Sequence, residues 1–253
     1  MRELLIVPEW PAPPRVRAVS TTRRGGVSRS PYDSFNLAAH VGYDPAHVAA
    51  NRRRLAATAG YATEPAWLEQ VHGNRVVAAE SVFSPVAADA AWTREPGRPC
   101  AVMTADCLPV LLCDRAGTVV AAVHAGWRGL ANGVIAVTVA RLGTPPMELL
   151  AWLGPAIGPD AFEVGEEVRA AFLALDKANA SCFRPSPAGR WLADIYGLAR
   201  LQLRRSFVTA IYGGDDCTFS KPERFFSYRR ENRTGRMATL IWLDRSMENG
   251  WSQ

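Results

Sequence analysis

The chain opens on a short apolar run, Leu4-Leu5-Ile6-Val7, and breaks at Pro11-Ala12-Pro13-Pro14. Val16–Thr21 then reads as a strand, and residues 22–40, rich in Gly, Ser, Arg and Asn, read as a loop. Asp44 followed by Pro45 marks a helix start, and the helical pattern continues to Ala59. Residues 67–77 form a mixed segment with a Gly73-Asn74 turn in its middle. The centre is the most legible region. Residues 100–104, 108–113 and 118–124 are three apolar runs, the last two separated by the turn Asp114-Arg115-Ala116-Gly117. The Val-Val-Ala-Ala-Val content of the third suits a strand buried on both faces. Residues 126–129 predict a tight connection, 130–142 a helix ending at Gly143, and 147–153 a strand stopped by Gly154-Pro155. Residues 163–174 and 193–206 carry amphipathic helical spacing, and 239–243 form a late strand. Strands and helices alternate irregularly, with no repeat and no Pro/Ser-rich linker. This predicts one α/β (α+β) domain over residues 1–253, with mixed sheets covered by helices.

Composition narrows the class. The chain has 253 residues, 48% hydrophobic and 21% charged, which excludes disordered, collagen-like and coiled-coil chains. A chain of this size buries roughly three-quarters of its unfolded surface and needs no disulfide or metal to fold. No run approaches the ~20 apolar residues of a membrane span. Residues 1–10 lack the apolar core and cleavage site of a signal peptide, so a soluble, cytoplasmic protein is expected. Net charge is +5, and the arginines lie in scattered clusters such as Arg52-Arg53-Arg54 and Arg204-Arg205. Nucleic acid would call for a continuous basic stripe with interleaved aromatics. A few Arg suit a small anion such as phosphate. The five Cys are odd in number and show no CxxC spacing, which argues against a disulfide framework or zinc ribbon. Free thiols fit a reducing cytosol.

Candidate chemistry concentrates at three positions. Of four His, His72 lies in Glu69-Gln70-Val71-His72-Gly73-Asn74, and His124 ends an apolar run before Ala125-Gly126-Trp127-Arg128-Gly129. A His at the end of a buried strand, before a Gly-rich turn, points out of a sheet rim, where sites collect. Cys107 holds a comparable position one element earlier, between Thr104-Ala105-Asp106 and Leu108-Pro109. Separations of 35 and 17 residues are not local metal-ligand spacings, so the fold must assemble any shared site. Two chemistries fit the trio. Three ligands could hold one zinc and leave a fourth position open for water or substrate. Alternatively, Cys107 is a nucleophile and His124 its base. A buried Cys with two structural His is the plain alternative to both. Asp89 and Asp106 are nearby candidates for a general base, Arg23, Arg128 and Arg229 for gripping an anion, and Phe225, Phe226 and Tyr228 for stacking on a planar base.

At these residues the chain resembles the laccase-domain family, also called the YfiH-like or multicopper polyphenol oxidase-like family. The resemblance rests on Thr21-Thr22-Arg23-Arg24-Gly25-Gly26-Val27-Ser28, Ser34-Phe35-Asn36-Leu37 and Gln70-Val71-His72-Gly73. It continues through Thr104-Ala105-Asp106-Cys107-Leu108-Pro109-Val110, Val123-His124-Ala125-Gly126-Trp127-Arg128-Gly129 and Gly154-Pro155-Ala156-Ile157-Gly158. Asp194-Ile195 and Phe226-Ser227-Tyr228-Arg229-Arg230 complete it, in family order from about residue 20 to 240. The resemblance implies a four-layer αββα domain and a metal, usually zinc, held by His72, Cys107 and His124. It implies Arg23, Asn36, Gln70 and Arg128 as substrate-binding residues. It also implies phosphorolysis of adenosine, inosine, guanosine and methylthioadenosine, and deamination of adenosine. Other descriptions within the family are copper-dependent polyphenol oxidation and editing of peptidoglycan precursors, and the fold is also grouped with toxin-type cysteine hydrolases. Four His cannot build the several copper centres of a blue-copper oxidase, whereas one His-Cys-His site suits Zn2+. The expected partners are therefore purine nucleosides and phosphate, with neither nucleic acid nor membrane, and nothing asks for more than a monomer. Trp92 and Arg94 depart from the apolar sequence expected after Asp89, a stretch expected to border the site.

Overall fold

A computed structural model describes residues 4–187 and 189–246. In chain order the strands are β1 (Leu5–Ile6), β2 (Val16–Thr21), β3 (Val76–Ala78), β4 (Ala90–Thr93), β5 (Cys100–Thr104), β6 (Leu108–Asp114) and β7 (Val120–Ala125). They continue as β8 (Leu149–Leu153), β9 (Glu163–Val164), β10 (Phe183–Pro185), β11 (Trp191–Ala193), β12 (Ala210–Gly213) and β13 (Met237–Leu243). The helices are α1 (Pro45–Ala59), α2 (Trp127–Ala131), α3 (Val134–Leu142), α4 (Glu166–Leu175) and α5 (Ile195–Arg205).

Side-chain alternation along the strands explains the layering. Strands β1-β2-β13-β5 form one sheet, and β12-β8-β6-β7-β4-β3 form a larger one. From β6, Leu111 and Cys113 meet Ile241 and Leu243 of β13 in the space between the two sheets. Leu108, Val110 and Leu112 of β6 point the other way, into a core shared with α3, α4 and α5. On the opposite side, Ala238, Leu240 and Trp242 of β13 pack with Leu55 of α1, Phe35 and Leu37. The order is helix, sheet, sheet, helices. Strands β10-β11-β9 form a small third sheet. No helix among the described residues is long and apolar enough to cross a membrane.

Local signals held where they were self-contained. Asp44 caps α1, its side chain accepting from Ala46 N, and Gly60 ends the helix at φ 84°. Elsewhere the pattern misled. The connection predicted at 126–129 is instead the start of α2, and Gly133, at φ 77°, separates α2 from α3. The helix predicted from 163 begins at Glu166, because Glu163 and Val164 pair with Leu192 and Trp191. Strands β3, β9 and β10 are two or three residues long, too short for a periodicity to register.

Candidate metal centre

Register, not sequence spacing, assembles the site. Strands β6 and β7 are antiparallel, with Leu108 opposite Ala125 and Pro109 opposite His124. Cys107, one residue before β6, therefore lies at the same rim as the end of β7. Strand β4 pairs with β7 from the other side, Ala90 opposite Val123, and His124 N donates to Asp89 O at 2.7 Å. Asp89 is thus delivered to the same rim.

The Asp89 carboxylate then draws in the His72 loop. It is fully buried and accepts from three successive backbone amides, Val71 N (3.3 Å), His72 N (2.9 Å) and Gly73 N (2.7 Å). His72 takes a left-handed backbone, φ 59°, in this turn. The same carboxylate lies 2.8 Å from His124 Nδ1, which leaves Nε2 of that ring as the nitrogen available to a metal. The ligand atoms of His72, Cys107 and His124 all fall within 4.8 Å of one another. Cys107 Sγ is 3.8 Å from His72 Nε2, and the two imidazoles meet edge to face at 74°. Two imidazole nitrogens and one thiolate sulfur at this spacing, one imidazole anchored by a carboxylate, match what a tetrahedral transition metal requires with one position left open.

The electrostatics agree. Burial pushes the Cys107 thiol up, but the facing His124 and His72 outweigh it and hold the group at about 6. Burial disfavours a charged His124, yet Cys107 and Asp89 raise it to about 9. Asp89 is itself pushed up by burial, but its bonds to His124 and to the loop amides bring it below the usual carboxylate range. The cluster thus favours the thiolate of Cys107, the form in which it would bind a metal. Gly126 explains the lack of a side chain over the trio, since a Cβ there would lie 2.9 Å from His72 Cδ2 and 3.1 Å from Cys107 Sγ. Its backbone, φ −66° and ψ 162°, would accept alanine without strain. Gly126→Ala is therefore expected to leave the melting temperature of the metal-free protein within a few degrees while weakening metal binding roughly 10–100-fold. Competitive titration against a chromophoric chelator reads the second quantity.

The trio opens into a cleft of about 620 Å³ whose lining includes His40, Gln70, Trp127, Arg128, Phe162, Tyr228, Arg229 and Arg236. A family model described as "Multi-copper polyphenol oxidoreductase laccase" matches residues 17–244. The chain belongs to this laccase-domain family. Among its relatives, a protein of Pseudomonas aeruginosa named purine nucleoside phosphorylase is 59% identical, covering 94% of this chain and 98% of the relative. The purine nucleoside phosphorylase YfiH of Escherichia coli is 56% identical over the same share of each. A solved structure from Neisseria meningitidis superposes with a TM-score of 0.92 at 50% identity, covering 95% of this chain and 99% of that one.

Within this laccase-domain protein, the residues expected to bind substrate separate into two groups. Gln70 and Arg128 line the cleft. The Gln70 amide, however, is spent on the backbone of Met103, donating to its O and accepting from its N, both at 2.7 Å. Arg128 is exposed and stacks over Trp127 at 4.5 Å, and its guanidinium makes no hydrogen bond or ion pair among the described residues. Arg23 and Asn36 do not reach the cleft. The Arg23 guanidinium holds Asp33 O (2.9 Å) and Pro222 O (3.1 Å) and lies over Phe226, so its role is to tie loops together. Asn36 is fully buried, bonded to both N and O of Ala38 and accepting from Arg236 N at 3.0 Å.

Other expectations shift as well. Asp106 is no free base: Thr218 Oγ1 (2.6 Å), Ser227 Oγ (3.0 Å) and Arg229 N (2.6 Å) all donate to its carboxylate. It pins the 216–230 segment to the cleft. Phe225 and Phe226 are core residues, whereas Tyr228 faces the cleft. Trp92 packs beneath α3 and Arg94 donates to Leu142 O at 2.6 Å, so this departure lies away from the site. His40 and Arg236 also line the cleft, although an isolated His in a polar loop and an Arg among many give no local signal in the sequence.

Proposed function

We propose that this laccase-domain protein is a zinc-dependent purine nucleoside phosphorylase that also deaminates adenosine. The observation that carries the reading is the His72-Cys107-His124 set opening into a cleft whose lining has three arginines against one already satisfied carboxylate, Asp106. Such a cleft favours an anion beside a metal. The names of relatives 56–59% identical support the phosphorolysis in this reading. Zn2+ held there supplies a Lewis acid without redox chemistry.

The remaining work falls to the chain. Phe162 and Tyr228 offer apolar faces for a purine. Asp89 keeps His124 in one tautomer and orientation, and the arginines draw phosphate from solvent. In phosphorolysis a phosphate oxygen bonds to the ribose C1′ and the C1′–N9 bond breaks. The purine leaves with that electron pair and takes the proton given up by H2PO4−, forming ribose 1-phosphate. Adenosine, inosine, guanosine and methylthioadenosine share this bond. Deamination consumes water and releases ammonia, giving inosine.

Incubation with adenosine tests both activities. Adenine released only with phosphate shows phosphorolysis, and inosine formed without phosphate shows deamination. One further observation favours a second reading: Asp89, His124 and Cys107 form an orienter, base and thiolate in series. A chelator separates the two. Zinc chemistry predicts that turnover vanishes on metal removal and returns with added Zn2+. Full activity in protein shown metal-free by elemental analysis would transfer the function to a Cys–His hydrolase.

A further inference from the structure

The cleft does not end at the aromatic wall. A second chamber of about 380 Å³, lined by Tyr32, Val41, Asn232, Arg233 and Thr234, shares His40 and Arg236 with it. These two side chains therefore stand between the chambers and face both.

Arg236 has the features of an anion holder. It is half-buried, Asn36 Oδ1 fixes its backbone N, and its side chain lies over the Tyr228 ring at 5.7 Å. Only Nη1 is engaged, donating to Thr234 O (2.9 Å) and Gly235 O (3.0 Å). Nε and Nη2 have no partner, and no carboxylate pairs with the guanidinium, among the described residues. A part-desolvated guanidinium with one free edge costs stability unless an anion meets it. His40 is exposed at the shared mouth; partial desolvation and the neighbouring Arg236 and Arg52 lower its imidazole, which favours the neutral ring, and that ring can offer one N–H to an anion without adding repulsion. Arg128 and Arg229 are more exposed, and Arg229 already donates to Glu163 O at 2.7 Å. Solvent screening weakens exposed charges of this kind.

We propose that Arg236 and His40 form the orthophosphate subsite of the cleft, and that the Arg233-lined chamber is the side from which phosphate reaches it. The assignment rests on the phosphorylase reading for its place in the reaction. Cys107 and Asp106 act electrostatically on Arg236, so phosphate held there stays within reach of the metal trio.

The test uses zinc-loaded, full-length protein and inorganic phosphate. Loss of one charge-assisted hydrogen-bond set corresponds to about 10–150-fold. Arg236→Gln should weaken phosphate binding by that factor in calorimetry and raise KM for phosphate equally, with a much smaller change in KM for adenosine. His40→Ala should raise KM for phosphate by a smaller factor, and Arg236→Lys should recover part of the Arg236→Gln loss. Thermal unfolding checks each variant. If Arg236→Gln does not fold, the His40→Ala and Arg236→Lys results decide alone. Unchanged phosphate affinity in folded Arg236 and His40 variants overturns the subsite. Wild-type protein that binds phosphate through Arg236 yet releases no purine would overturn the phosphorylase reading and leave the anion subsite standing.

Discussion

Cys107→Ala is expected to lower bound zinc from about one per chain to a trace and to remove nucleoside turnover with it. The thiolate is the softest of three ligands, and two imidazoles alone bind the ion far more weakly. The fold should survive the change. The core between the two sheets and beneath the helices is closed by residues such as Leu111, Val120, Ile241 and Phe172 that lie away from the site and are fully buried. A folded far-ultraviolet spectrum, with metal and activity both lost, is the expected combination. Full zinc occupancy in Cys107→Ala would falsify the ligand assignment.

Asp89→Ala should have the largest effect on stability of any single change at the site. It removes the acceptor of three backbone amides and the partner of His124 Nδ1, all at a position with no solvent access. Breaking a buried charged pair and orphaning its partners costs about 3–5 kcal/mol. Urea denaturation of the metal-free variant against metal-free wild type isolates this term from metal linkage. Asp89→Asn keeps the shape and one acceptor oxygen but cannot satisfy both the amides and His124. It should remain folded and bind zinc roughly 10–100-fold more weakly, as loss of an orienting carboxylate typically does. Wild-type zinc affinity in Asp89→Asn would show that His124 needs no orienting partner.

Much of the frame was legible because its signals are local. The Asp44-Pro45 start and Gly60 stop of α1 need only their own neighbours. Strands β2 and β5 match the predicted ranges, and β6, β7 and β13 overlap theirs, since their apolar residues are contiguous and bounded by turns or polar residues. The split between α2 and α3 was not legible, because the 3.6 period runs on through Gly133 and only its positive φ breaks it.

For the site, the sequence by itself determined which groups are available: four His, five Cys without metal spacing, and a His and a Cys each set beside an apolar run. Those facts left zinc, nucleophile and plain structure open, and only the family resemblance chose among them. Tertiary structure decided which residues meet. Antiparallel register carries Cys107 and His124 to one rim, and the same register brings Asp89 there to fold the His72 loop. It also decided which plausible arginines are already used. Arg23 and Arg236 look alike in sequence, yet one is bound to loop carbonyls away from the cleft and the other presents a free edge to it. A side chain's type fixes what it can bond to. Whether those bonds remain available to a ligand depends on distant partners, as Arg23 does on Pro222, 199 positions away, and only chain packing supplies them.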